Sequence, residues 1–182
     1  SKSGKIASSS FDSFNVEKTE FYKDKAKELD EYASEQLNYY YEDGEQPAVY
    51  TANNEYFLQR ADNVVLSIRS DADEFSGGAH PNYGYGGYNF DTATGKELVI
   101  TDVMTDISSL PEILSEKIKI KEEFADGFFG NLEEVLSEYT AEQFNWTIGY
   151  QGVTFCFSPY DIAPFAAGLI TATVYFDEYP EL

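Results

Sequence analysis

Between Ser76 and Asp91 the chain reads Ser-Gly-Gly-Ala-His-Pro-Asn-Tyr-Gly-Tyr-Gly-Gly-Tyr-Asn-Phe-Asp, with five glycines, five rings and one proline in sixteen residues. Alternating segments lie on both sides of it, so the stretch has to connect two strands. A plain hairpin needs only about two to five connecting residues. This one carries far more loop chemistry than that. Glycine at Gly77, Gly78, Gly84, Gly86 and Gly87 permits positive φ and close backbone approach, and Tyr83, Tyr85 and Tyr88 offer rigid faces with a polar tip. The stretch is expected to be a recognition loop; the alternative is a long structural connection whose rings pack back on the sheet.

Upstream, residues 1–15 are rich in Ser and Lys and are expected to be a mobile lead or a short edge strand. From Val16 the spacing changes. Tyr22, Ala26, Leu29, Ala33, Leu37 and Tyr40 recur every three or four residues, which predicts a helix from about Glu17 to Tyr41, ended at Asp43-Gly44. Ala48–Ala52, Tyr56–Ala61 and Val64–Ser70 then alternate apolar with polar residues, broken at Asn53-Asn54 and Asp62-Asn63, and predict a β-meander. Asp71, Asp73 and Glu74 imitate a calcium loop only in part, because the sixth and twelfth positions are Ser76 and Asn82.

Downstream, Thr92-Ala-Thr-Gly95 predicts a hairpin turn between Tyr88–Asp91 and Glu97–Ile100. Ser109-Leu-Pro-Glu112 has the form of a capping box with Pro in the first turn, and Leu110, Ile113, Leu114, Ile118 and Phe124 are its buried stripe. Asn131-Leu-Glu-Glu134 and Thr140-Ala-Glu-Gln143 repeat the capping pattern and predict a second helix to Tyr139 and a short third one. Trp146–Gly149, Val153–Phe157 and Leu169–Phe176 close the chain as strands. The fold class expected is α+β: an antiparallel β-sheet with helices packed on one side and a long N-terminal helix.

Function classes narrow by charge and by missing chemistry. Twelve Lys and Arg against 33 Asp and Glu give a net charge of −21, and no Lys or Arg follows Lys121. Such a field repels phosphate backbones and anionic membrane surfaces, so no nucleic acid is expected as partner, and no membrane insertion by this chain. A cationic partner is attracted. The one histidine, His80, and the one cysteine, Cys156, supply neither a nucleophile triad nor a zinc site, so no cofactor, no metal and no catalytic residues are expected. Cys156, between Phe155 and Phe157, is expected to be a buried, inert thiol. Paired carboxylates for glycoside cleavage remain the enzymatic alternative, since an acidic chain supplies many pairs.

The motifs Ser76-Gly-Gly-Ala-His80, Gly87-Tyr-Asn-Phe-Asp91, Thr94-Gly-Lys-Glu-Leu98, Pro159-Tyr-Asp-Ile-Ala-Pro164 and Ala167-Gly168, in that order, resemble the RsiV C-terminal domain family. These are bacterial extracytoplasmic domains of lysozyme-sensing anti-sigma factors, also found ahead of the catalytic domain in some peptidoglycan deacetylases. The resemblance covers roughly Ser67 to Tyr179, and the helical segment before it resembles the companion module that precedes this domain. It implies a division into a helix and β-meander module at 1–66 and an α+β domain at 67–182. It also implies a location outside the cytoplasm, secreted or anchored to the cell surface, and a non-enzymatic role in binding a lysozyme-type cationic protein or peptidoglycan. The residues expected to bind are Ser76, Gly77, Gly78, His80, Asn82, Tyr83, Tyr85 and Tyr88, with Tyr160 and Asp161 beside them. Family members more often carry Glu where this chain has Asp161. Ile162 and Phe165 are expected to anchor in the core.

Overall fold

The computed structural model describes residues 2–43, 49–118 and 127–180, with the side chains of the first helix described from 11 to 37. Helix α1 (Lys2–Asp43) leads into strands β1 (Thr51–Ala61), β2 (Val65–Phe75) and β3 (Asn82–Asp91). Helices α2 (Leu110–Lys117) and α3 (Leu132–Ser137) follow, then β4 (Trp146–Ile148), β5 (Gly152–Phe157) and β6 (Ile170–Tyr175). The fold is α+β, as the periodicities require. Its strands divide between two antiparallel sheets, β1-β2-β3 and β4-β5-β6, where the sequence suggested one.

Helix α1 covers one face of the first sheet. Leu29 is buried and Tyr22, Ala33 and Leu37 are half-buried, as their spacing demands, while Ala26 of the same stripe is exposed, and the helix begins well before residue 16. The expected mobile lead or edge strand at 1–15 is therefore helical from Lys2 onward, and Phe14 gives the reason. Its ring is buried against Tyr56, Tyr88 and Phe90, with centroids 5.6, 4.9 and 5.9 Å away. Burying a phenylalanine is worth roughly 1.5–3 kcal/mol, enough to carry the helix through a serine-rich start of indifferent propensity. Tyr40 and Tyr41 lie outside the residues whose side chains are described.

Asn53 and Asn54 do not break a strand. β1 runs through them as the outermost strand of the first sheet, because their amides find partners across it. Asn53 Nδ2 donates to Asp73 Oδ2 at 3.0 Å, Ser70 Oγ donates to Asn54 Oδ1 at 2.8 Å, and Asn54 Nδ2 donates to the Tyr22 hydroxyl. The turn at Asp62-Asn63 stands. Asp62 Oδ1 accepts from the N–H groups of Val64 and Val65 and Oδ2 from Arg60 Nε, and these bonds hold the carboxyl down at a pKa of about 2. The boundary expected after residue 66 falls inside β2, which pairs with β1 and β3 along its length.

The largest correction concerns the glycine-tyrosine stretch. Residues from Asn82 onward form β3, leaving only 76–81 as loop. The turn Thr92–Gly95 is present, fastened by Asp91 Oδ1, but Glu97 makes a single bridge to Phe90 and no second strand follows. α2 and α3 start where the capping patterns put them. Leu110, Ile113, Leu114 and Ile118 are buried; Phe124 lies outside the described residues. Asn131 Oδ1 accepts from the N–H groups of Glu133 and Glu134, as a side-chain cap should. Thr140–Gln143 makes a turn and no helix: its Gln143 side chain accepts from Thr140 N–H, but the buried residues that follow, Phe144, Trp146 and Ile148, are spaced two apart and lead into a strand.

The apolar core lies between the second sheet and α2 and α3. Apart from Val65, its buried cluster comes wholly from residues 100–174, with Val153, Phe155 and Phe157 on one face of β5. The seam between the two sheets is polar. Buried Asn89 accepts from Ser67 Oγ at 2.6 Å and donates to the Trp146 carbonyl at 2.9 Å, while Ser67 Oγ accepts from Ile148 N–H at 3.0 Å.

Cys156 sits on the other face of β5, 3% exposed, and burial pushes its thiol up to about 11, a rise that Arg69 opposes and Asp71 reinforces. A thiol reagent is expected to leave native Cys156 unmodified over hours and to modify it fully in denaturant, because the thiolate is the nucleophile. Rapid native labelling would show that this face of the strand is open.

Candidate functional site

β2 leaves the first sheet at Phe75 and the chain turns back at Gly77 and Gly78, both at φ +96, a conformation other residues rarely adopt. The return brings His80 and then Tyr83 over the surface of the second sheet, where Phe165 waits in a short 3₁₀ turn (Phe165–Ala167) after Pro164. His80 stacks on Phe165 with centroids 3.8 Å apart and planes 17° from parallel; Tyr83 stacks on the same ring at 5.7 Å and 24°. Tyr160 approaches Phe165 at 6.0 Å, tilted by 35°. Four rings from two distant parts of the chain therefore form one cluster. His80 is exposed, Tyr83 is 43% exposed and Tyr160 is 56% exposed, so the cluster presents its faces to solvent.

Phe165 is thus half-buried at the centre of this surface, where the sequence reading placed it in the core beside Ile162. Ile162 is buried as expected, and it is the anchor that frees Phe165 to lie outside.

Two polar residues bind the halves together. Ser158 Oγ accepts from Tyr85 N–H at 3.1 Å, and Asn145 holds β3 by donating to the Tyr85 carbonyl at 2.6 Å and accepting from Gly87 N–H at 3.2 Å. Neither stood out in the sequence. A side chain that satisfies a remote backbone has no periodic signature, and only the capping Gln143 two residues earlier hinted at a fixed position.

Tyr160 has φ +76, the one non-glycine residue with positive φ among those described. The turn holds it there: Tyr160 N–H donates to the Ala163 carbonyl, Asp161 N–H to the Ser158 carbonyl, and Asp161 Oδ2 accepts from Ser158 N–H at 2.7 Å. Partial desolvation raises the Asp161 carboxyl above its ordinary pKa, against the lowering effect of the Ser158 N–H. A residue other than glycine kept in this region costs of order 1–3 kcal/mol and persists where its surroundings over-determine it.

The remaining expected residues are divided. Ser76 is half-buried at the loop's start, and Asn82 opens β3 opposite Glu74. Tyr85 lies on the same side of β3 as Tyr83, its phenol raised in pKa by desolvation and by Asp71. Tyr88 does not join them. It points to the other face, where Phe14 packs on it and Lys18 Nζ stands 4.5 Å from its ring centre. Tyr88 lies three residues past Tyr85 and five past Tyr83, and along a pleated strand these odd offsets put it on the opposite face. Among the described residues no group of three or more His, Cys, Asp or Glu is placed to hold a metal ion, and no helix is long and apolar enough to cross a membrane.

Residues 100–177 match the model of a family described as a protein of unknown function, DUF3298. That span holds all of the buried apolar cluster except Val65. Among the solved structures similar in fold are two crystal structures. A DUF3298 family member from Bacteroides fragilis superposes with a TM-score of 0.60 at 23% identity, covering 84% of this chain and 63% of its own. A DUF3298 family protein from Pseudomonas aeruginosa gives 0.51 at 16% identity, covering 72% of this chain and 61% of its own. The chain thus spans a little over three fifths of each neighbour. No protein of curated function matches it in sequence.

Proposed function

We propose that this chain is a non-enzymatic, extracytoplasmic binding module of the bacterial cell envelope that recognises a lysozyme-type cationic protein through the cluster around Phe165. The reading follows the resemblance to the RsiV C-terminal domain, and one observation carries it. The loop with Gly77, Gly78 and His80 meets the Tyr160-Asp161 turn on a single exposed ring cluster. Exposed, conformationally fixed aromatics are the side chains that dominate protein interfaces. A net charge of −21 steers a basic partner towards them. Peptidoglycan is the second ligand this surface suits, since stacked rings also accept sugar faces. The alternative of a carboxylate-dependent glycan hydrolase rests on the abundance of acids alone.

Calorimetry against lysozyme and an unrelated basic protein, at low salt and at moderate salt, tests the reading. Above ~0.1 M salt the screening length falls to about 10 Å, so steering fades and only docked contacts persist. Binding to lysozyme is expected to survive moderate salt and to weaken about tenfold or more in Tyr83→Ala or Phe165→Ala. Equal affinity for both basic proteins, or full affinity in the variants, removes the lysozyme reading. Release of soluble fragments from purified peptidoglycan would establish the hydrolase instead.

A further inference from the structure

A second aromatic surface lies at the opposite end of the second sheet. Phe176 N–H donates to the Gln151 carbonyl at 3.0 Å, which sets the β4–β5 turn beside the end of β6 and opens a groove of about 520 Å³ between them. Tyr150, Tyr175 and Phe176 line it and are 67%, 40% and 40% exposed. β5 separates it from Phe165. The groove adjoins Gly152 and the ring cluster adjoins Ser158, about 20 Å along a strand at some 3.3 Å per residue.

We propose that this groove is a binding site for uncharged pyranose glycan, distinct from the Phe165 cluster. Three observations select that class. Two of the three lining rings are already set by the chain's own cations: Arg60 stands 5.3 Å from the Tyr150 ring centre, and Lys117 stands 5.5 Å from that of Tyr175 and 5.3 Å from that of the neighbouring Tyr179. Arg60 is itself fixed by Asp62 and by the Gly149 carbonyl, and Lys117 by Glu178 at 2.5 Å. One face of each of these tyrosines is therefore taken by the cation a basic ligand would bring, and the ring is held still for whatever meets its other face.

Second, among the described residues the charge around the groove is close to balanced, with Arg60 and Lys117 against Asp62, Asp177 and Glu178. The chain as a whole is strongly acidic, yet here neither a polycation nor a polyanion is favoured. Third, the lining contains no aliphatic side chain among the described residues. Among the described residues the Gln151 amide and the Asp177 carboxylate make no hydrogen bond within the chain, and both reach the same groove. An apolar helix laid there would bury the amide and the ionised carboxylate without partners, which is unfavourable for the first and far more so for the second. A pyranose ring satisfies both needs: its axial C–H face packs on an aromatic ring, and its equatorial hydroxyls bond to amide and carboxylate.

The test is a titration of the full chain, followed by backbone amide NMR, with cellotetraose, an N-acetylglucosamine tetramer, a galacturonate tetramer and an oligo-arginine peptide. Either or both neutral tetramers are expected to move the amides of 150–151 and 175–178, with little response to added salt. Tyr150→Ala and Phe176→Ala, both at exposed positions, are expected to weaken that binding at least tenfold while the rest of the spectrum stays unchanged. Tyr83→Ala is expected to leave it intact, which separates this site from the proposed lysozyme surface. Silence at these amides with both neutral sugars overturns the proposal. So does a response there to the galacturonate or arginine oligomer alone, or sugar-induced shifts confined to the Phe165 cluster.

Discussion

Alanine at Gly87 is expected to cost the fold about 3–5 kcal/mol, although the change adds a single methyl group. A Cβ built there lies 1.8 Å from the Trp146 carbonyl oxygen and 2.6 Å from its carbon. Both partners are backbone, so no rotamer relieves the contact. β3 and β4 would have to separate, breaking the bonds from Asn89 to Trp146 and from Gly87 to Asn145 that join the sheets. Each such bond contributes about 1 kcal/mol, and overpacking adds typically 1–3 kcal/mol. For a chain of this size each kcal/mol moves the midpoint about 2–4 °C, so thermal melting should fall by roughly 10 °C. Gly84→Ala is the internal control, since a Cβ there meets nothing within 4 Å. An unchanged midpoint for Gly87→Ala would mean that the two sheets do not touch at this point.

Phe155→Ala is expected to be comparably damaging by the opposite route. Phe155 is fully buried on the central strand of the second sheet and meets Phe144 edge to face at 5.6 Å and 77°. Truncation removes its transfer free energy and leaves a void between β5 and the helices, together about 3–5 kcal/mol. Urea unfolding should show a lower midpoint with the same slope, since the surface exposed on unfolding barely changes. A loss below about 1 kcal/mol would show that this core collapses easily around the gap.

These two variants also mark how far the residues alone could be read. Phe155 was legible, because strict alternation from Val153 to Phe157 puts three residues on one face, and all three are buried. The stripe of α1, the cap at Asn131 and the turn at Thr92–Gly95 were legible for the same reason: their signals are local. Gly87 was read as a loop glycine that permits positive φ and close backbone approach; the close approach is there, but it is made by a strand residue whose missing side chain makes room for another strand. That requirement comes from Trp146, fifty-nine positions away, and no local pattern encodes it. Asn53 and Asn54 misled in the same way, as turn formers whose amides are satisfied by Asp73 and Ser70 across the sheet.

The candidate site was half visible. His80, Tyr83 and Tyr160 do converge, but the ring on which they meet was assigned to the interior, and Tyr88 was grouped with partners that the pleat sends to the other side. Sequence proximity within a strand is a poor guide to shared surface, since neighbours alternate.

The outer edge of β1 has a consequence for how the molecule keeps to itself. Eleven residues long, with Tyr56, Phe57 and Leu58 ahead of its bulge, this strand has no partner strand on its outer side among the described residues, a side that an extended chain could pair with. Other proteins blunt such an edge with proline or lysine; here neither occurs between Thr51 and Ala61. The bulge near Gln59 and the charges of Glu55 and Arg60 guard it locally, and the main guard at a distance is the repulsion between whole molecules carrying a charge of −21. Solubility is thereby tied to the medium: concentrated salt, or acid near the isoelectric point of about 4.1, disarms the guard while leaving the edge in place.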